Sequence, residues 1–143
     1  MKSRASFKSI IKFFDDVSGF IDEIFNEECE IISNQTYYEP AVDIFEFDDK
    51  IFLIMELPGV EKKDLSIAIG PNMVIVKGIR RDPEILRAGV TFYNMEIPYG
   101  HFKRRLFLPF RISTKSVMIN LKNGILTLSF NKDKKNIKIL KIE

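Results

Sequence analysis

The distribution of proline and glycine constrains this chain more than any other feature of its sequence. Five of its six prolines and six of its seven glycines lie between residues 41 and 130. Short runs rich in Val, Ile and Phe fill the intervals between them, which is the pattern of an all-β sandwich with frequent turns. We predict strands at 42–47, 51–57, 65–69, 73–80, 92–96, 102–108, 116–121 and 125–130.

Three short segments between these runs are predicted to be tight turns. Asp48-Asp49 and Asn123-Gly124 suit two-residue hairpin turns, because Asn, Asp and Gly tolerate positive φ angles. Gly70-Pro71-Asn72 gives a third turn. The sequence therefore predicts two hairpins within the sandwich.

The segment from about Ser6 to Glu28 follows a different periodicity. Its apolar residues recur every three or four positions, which predicts an amphipathic helix, and no proline interrupts them. Gly19 weakens the middle of this helix. The apolar positions are Phe7, Ile10, Ile11, Phe13, Phe14, Val17, Phe20, Ile21, Ile24 and Phe25.

The chain is thus divided into three parts. An arm and linker occupy residues 1–40, and Pro40 marks their end because it disfavours helix at the preceding residue. The sandwich occupies residues 41–130, and a Lys-rich extension occupies residues 131–143. Their net charges are −4, +3 and +3 respectively.

Composition excludes several classes of function. A net charge of +2 is too small to indicate nucleic acid as a partner. One His and one Cys cannot form a His/Cys metal cluster, and neither a G-x-S-x-G nor a phosphate-binding G-x-x-x-x-G-K-[ST] motif occurs. No apolar run approaches the ~20 residues of a membrane-spanning helix, and no signal peptide is evident. We therefore expect no metal, no cofactor, no catalytic site and no stable membrane insertion. The single Cys29 favours a reducing, cytoplasmic setting.

Four blocks, in order, resemble the alpha-crystallin domain of the small heat shock proteins. The first is ELPGV at 56–60 followed by KDL at 63–65, and the second is VIVKGIR at 74–80. The third is YGHFKRRLFLP at 99–109, and the fourth is NGILTL at 123–128. IKI at 137–139 resembles the I-x-I motif that follows this domain.

The resemblance implies an immunoglobulin-like β-sandwich and an ATP-independent holdase. Such a chaperone binds unfolding client proteins as an oligomer of dimers and hands them to ATP-dependent chaperones. The alternative is a non-oligomeric protein-binding sandwich of the co-chaperone, p23-like type, which needs neither an apolar arm nor a terminal I-x-I motif.

The resemblance also implies a dimer interface. In non-animal relatives a strand within the loop that matches 82–96 pairs with a second subunit, and Phe92, Tyr93 and Met95 have the composition of such a strand. Arg104 matches an arginine that supports the dimer through an ion pair. The alternatives are an ordinary surface loop and a solvated Arg104.

The tail motif, Ile137 and Ile139, is expected by resemblance to dock into a groove on a neighbouring subunit. Two alternatives remain: Leu140 and Ile142 repeat the pattern, and the tail is also able to add a strand to its own domain. The expected groove residues are Leu65, Ile67, Ile69, Val117, Ile119 and Leu121.

One helix cannot hide the apolar face of the arm from water. We expect the arms to bury one another in an oligomer and to contact clients reversibly. Packing on the arm's own sandwich is an alternative, as is adsorption to a membrane surface, although the acidic polar face of the arm disfavours anionic lipid.

Overall fold

The computed structural model describes residues 11–13, 37–86 and 88–133, which form an all-β fold. Two short 3-10 turns, Lys62–Asp64 and Thr114–Ser116, join strands in this part of the chain. The strands are β1 (Ile11–Phe13), β2 (Val42–Phe47), β3 (Lys50–Glu56), β4 (Leu65–Ile69), β5 (Met73–Arg80), β6 (Gly100–Phe107), β7 (Met118–Lys122) and β8 (Ile125–Asn131).

The strands form two four-stranded sheets. Sheet A has the order β1-β4-β5-β6, and sheet B has the order β2-β3-β8-β7. All neighbouring pairs are antiparallel except β1 and β4, which run parallel. This arrangement confirms the β-sandwich that the sequence predicts.

The core lies between the sheets and follows the alternation of side chains along each strand. In β3, Ile51, Leu53 and Met55 are at most 1% exposed, while Phe52 and Ile54 point away from the core and are half-buried. Burying one such side chain contributes up to about 1.5–3 kcal/mol relative to leaving it in water. Sheet A supplies the facing layer, which includes Ile67, Ile69, Val74, Val76 and Phe102.

Both predicted hairpin turns are present. Asp48 and Asp49 have φ angles of 53° and 59°, and Asn123 and Gly124 have φ angles of 54° and 75°. Positive φ at both central residues is what a type I′ turn requires, and its twist matches that of the flanking strands. The turn residues therefore set the register of the β2–β3 and β7–β8 pairs.

Seven of the eight predicted strands are present, with bounds that differ by at most two residues. No strand forms at 92–96 within the single chain, so that prediction is wrong for an isolated subunit. A strand is stable only when its backbone groups pair with a neighbour. The segment 92–96 has no such neighbour among the described residues.

The predicted arm helix is wrong at the three arm residues that the structure describes. Ile11–Phe13 form strand β1 instead, in register with Ile67–Ile69 of β4. The edge of β4 offers unpaired amides and carbonyls, and Ile-Lys-Phe alternates as a strand with one apolar face does. The other arm positions predicted to be helical lie outside the described residues.

Candidate interaction surfaces

Both edges of sheet A are engaged by segments that precede the sandwich. Strand β1 covers the edge of β4. At the β6 edge, the Tyr38 amide donates to the His101 carbonyl at 3.1 Å, and the Lys103 amide donates to the Tyr38 carbonyl at 3.3 Å. The ring centroids of Tyr38 and Phe102 lie 5.7 Å apart. Burial raises the pKa of the Tyr38 hydroxyl above its usual value, and the smaller opposing effect comes from Arg80. Sheet A is therefore a poor template for a further strand while these two segments stay in place.

Sheet B differs, because β2 and β7 form its two outer edges in the described part of the chain. Strand β2 carries Phe45 and Phe47, which are 44% and 69% exposed. The Phe45 ring stacks on that of Phe52, with a centroid distance of 5.4 Å and an interplanar angle of 13°. The outer edge of β2 is thus bordered by aromatic side chains. These phenylalanines are not among the residues predicted from the sequence, although the repeat of Phe at 45 and 47 is a signal of a common strand face.

The predicted groove residues fall into two groups. Leu65, Ile67 and Ile69 of β4 are almost completely buried in the core cluster. The residues at or near β7 are half-buried and pack against the same cluster; these are Val117, Ile119 and Leu121. The structure therefore places both groups against one core, and Ile11 of β1 also packs against it.

Arg104 lies on the inward-facing side of β6, between the buried residues Phe102 and Leu106, because alternate side chains of a strand share a face. It is half-buried, and its Nη1 donates to the carbonyl of Pro40 at 2.9 Å. The arginine thereby ties the linker before β2 to the opposite sheet. Its role at a dimer interface stays a prediction.

The loop that contains the predicted exchanged strand leaves its apolar side chains exposed. Phe92 is 49% exposed, Tyr93 is 99% exposed and Met95 is 71% exposed. Phe92 and Met95 also line an open cavity of about 300 Å³, together with Leu86 and Ile97. Such exposure is costly in water for a chain that stays alone.

An ion pair that sequence reasoning missed anchors the start of β4. The carboxylate of Asp64 accepts hydrogen bonds from Nε and Nη2 of Arg81, at 3.0 and 2.9 Å. These hydrogen bonds hold the pKa of Asp64 below its usual range. The two residues are 17 positions apart, so no local spacing in the sequence indicates the pair.

The tail residues Ile137, Ile139, Leu140 and Ile142 lie outside the described residues. No helix within the described ranges is long and apolar enough to cross a membrane.

Comparison with known proteins identifies the family. The model of the Hsp20/alpha crystallin family matches residues 43–143, which is more than half of the chain. The chain belongs to this family. Small heat shock protein C4 of Rickettsia felis is 27% identical over 144 residues, which cover 94% of this chain and 88% of that protein. Small heat shock protein C2 of the same species is 30% identical over 130 residues, which cover 89% and 83%.

A solved structure agrees with this assignment. The small heat shock protein from Xylella fastidiosa has a TM-score of 0.59 and is 27% identical, and the match covers 68% of this chain and 88% of that chain. The resemblance carried by the four sequence blocks is therefore confirmed, and the protein is a member of a chaperone family of the stress response.

Proposed function

We propose that this small heat shock protein is an ATP-independent holdase that works as an oligomer of dimers. It binds unfolding client proteins through apolar surface, in the cytoplasm, and passes them to ATP-dependent chaperones. The observation that carries the proposal is the set of large apolar side chains left exposed on the outer strands of sheet B and in the loop between β5 and β6, namely Phe45, Phe47, Phe92, Tyr93, Met95 and Met118. Large exposed apolar side chains that are grouped on one element in this way are typical of interaction sites.

The dimer forms by exchange of the segment 92–96 onto the outer edge of β2 in a second subunit. Three observations support this pairing. The segment lacks a ladder in the described part of its own chain, the edges of sheet A are engaged, and the β2 edge is bordered by aromatic residues. A strand added there would place alternate side chains beside Phe45 and Phe47, where cross-strand aromatic and apolar pairs contribute about 0.2–1 kcal/mol each.

Larger assemblies form through the two ends of the chain. The apolar face of the arm is buried by other arms, and the tail docks beside β4 and β7 of a neighbouring subunit. A single tail contact that buries two isoleucines gains roughly 3–6 kcal/mol before ordering costs, so it is weak alone and effective only when it is repeated around an assembly. The relative from Xylella fastidiosa has a distinct high order structure, which supports self-association in this family.

Client binding uses the apolar surface that assembly leaves accessible. In the described part of the chain this is the outer face of sheet B, where Phe52 and Met118 line a shallow cavity of about 280 Å³. An unfolding protein exposes apolar side chains of many shapes, and a broad face is suited to them because the hydrophobic effect is not directional.

The test joins light scattering with an aggregation assay. The purified protein should form particles larger than dimers and should suppress heat aggregation of an unrelated enzyme without ATP. An inert protein of similar size, added at equal mass, is the control for non-specific crowding. A stable monomer without suppression contradicts the proposal and favours the p23-like module.

A further inference from the structure

Strand β1 lies on the strand edge at which the tail is expected to dock. Ile11, Lys12 and Phe13 are in register with Ile67, Ala68 and Ile69 of β4. Ile67 and Ile69 face the core, so Ile11 and Phe13 occupy the core-facing register of β1. Ile11 is half-buried and packs against the core cluster.

The two ends of the chain carry the same short pattern. The arm has Ile-Lys-Phe at 11–13, and the tail has Ile-Lys-Ile at 137–139 and Leu-Lys-Ile at 140–142. In any segment that adopts the extended conformation, this pattern places two apolar side chains on one face and a lysine on the other. The arm triplet and the tail triplets thus share the same alternation of apolar side chains and lysine.

We propose that the arm triplet, Ile11–Phe13, is a resident ligand of the β4 edge in its own subunit and competes with the tail triplets for that edge. The edge has one row of unpaired amides and carbonyls, so it pairs with one strand at a time. This inference rests on the tail docking of the proposed function. It adds that a tail docks only when the arm leaves, so docking releases an apolar arm.

The geometry makes the arm a displaceable ligand. Phe13 remains 49% exposed, so only part of the apolar surface of the triplet is buried. The triplet is three residues long, which allows few ladder hydrogen bonds. Its covalent tether nevertheless gives it an effective concentration in the millimolar range, which is enough to oppose a tail contact of comparable strength.

The first experiment tests arm occupancy directly in the full chain. Lys12→Cys and Ala68→Cys, in a Cys29→Ser background, place two thiols at paired positions of β1 and β4. Mild oxidation should give an intrachain disulfide, seen as a monomer band and by mass spectrometry. Lys8→Cys with Ala68→Cys is the out-of-register control and should cross-link several-fold more slowly. Absence of the intrachain cross-link, or a cross-link that joins two subunits, overturns the proposal.

The second experiment tests competition. The probe is a fluorescent peptide of residues 131–143, and its binding is measured by anisotropy. The receptor is the full chain with Ala at 137, 139, 140 and 142, which removes its own tail triplets. Ile11→Asp with Phe13→Asp should tighten peptide binding about tenfold if the arm holds the edge for nine-tenths of the time. Ser33→Asp with Gln35→Asp puts the same two charges, at the same spacing, in the polar linker and should leave the affinity unchanged.

The outcomes separate this inference from the proposal on which it rests. If the peptide binds the receptor and its Ile11→Asp, Phe13→Asp variant with equal affinity, competition is overturned but tail docking is left intact. No peptide binding by either protein overturns tail docking and, with it, competition. In that case the disulfide still reports whether the arm occupies β4.

Discussion

Gly78 lies opposite Phe102 in the β5–β6 ladder, and the ring of Phe102 covers the place where a side chain at position 78 would lie. A Cβ at that position would be 2.7 Å from Cζ of Phe102 and closer still to the backbone carbonyl of Asp64. The ring has room to shift only at the expense of the core, because Phe102 is completely buried. The glycine is therefore required by packing rather than by a turn.

Gly78→Ala should destabilise the sandwich through this overpacking. Such clashes cost about 1–3 kcal/mol, and each kcal/mol lowers the Tm of a domain of this size by about 4–8 °C. The Tm is measured by circular dichroism at a fixed protein concentration, because association changes apparent stability. Gly89→Ala is the control: its methyl group meets open space, so it introduces only the strain of a φ angle of 98°, about 1 kcal/mol. An equal loss in both variants contradicts the packing argument.

The Asp64–Arg81 ion pair predicts a pH dependence of stability. Because the pKa of Asp64 is lowered in the folded state, the charged carboxylate stabilises the fold above its unfolded pKa of about 3.9. That contribution is lost as the pH falls through the folded pKa. Asp64→Asn should therefore have a lower Tm than the parent at pH 7, and the difference should shrink below about pH 4.

A surface ion pair near Asp64 gives a matched control. Nζ of Lys63 lies 3.3 Å from Oε2 of Glu61, and both side chains are 68% exposed. Exposed pairs of this kind contribute little, so Glu61→Gln should leave the Tm almost unchanged at both pH values. A difference between the parent and Asp64→Asn that stays constant from pH 7 to pH 3 contradicts the assignment of the effect to the carboxylate charge.

The sandwich was largely predictable because its signals are local. The alternation in β3 and the turn residues Asp48-Asp49 and Asn123-Gly124 specify strands, faces and hairpin register within a few positions of one another. The Asp64–Arg81 pair and the contact of Arg104 with Pro40 join distant positions, so periodicity carries no information about them.

The predictions for two segments are wrong for the same physical reason. Residues 11–13 and 92–96 have apolar patterns that satisfy more than one structure, and the available partner decides between them. The edge of β4 makes Ile11–Phe13 a strand, although the spacing of the whole arm predicts a helix. The segment 92–96 has strand composition but no ladder in the described part of its own chain.

Proline substitution tests the exchange of segment 92–96. Successive amides of a strand point to opposite sides, so one of Tyr93→Pro and Asn94→Pro must remove a hydrogen bond donor from the intersubunit ladder. We expect that variant to shift dimers towards monomers in sedimentation velocity, with little change in secondary structure. Val90→Pro, in the same loop but outside the segment, is the control. Dimers that persist in both variants contradict strand exchange.

Arg104 offers a separate test of how the linker is held. Arg104→Met keeps an apolar stem but leaves the buried Pro40 carbonyl without its donor, at a cost of about 1–3 kcal/mol. The Tm should fall, and dimer dissociation should increase if the same side chain supports the interface, as family resemblance implies. Arg111→Met is the control. Nε of the exposed Arg111 lies 4.0 Å from Oδ2 of Asp133, so the loss of this ion pair should change the Tm little. An unchanged Tm for Arg104→Met contradicts a stabilising role for the bond to Pro40.

Tail docking is tested by truncating the two isoleucines of the I-x-I motif. Ile137→Ala with Ile139→Ala should shrink the assemblies towards dimers, because each tail contact loses most of the apolar surface that it buries. A small loss at each contact is sufficient, since the contacts act together around the assembly. Particle mass is measured by light scattering after gel filtration, and Lys138→Ala is the control that leaves both apolar side chains in place. Unchanged particle mass moves the docking contact to Leu140 and Ile142, and unchanged mass after those two residues are also replaced by Ala excludes the tail from assembly.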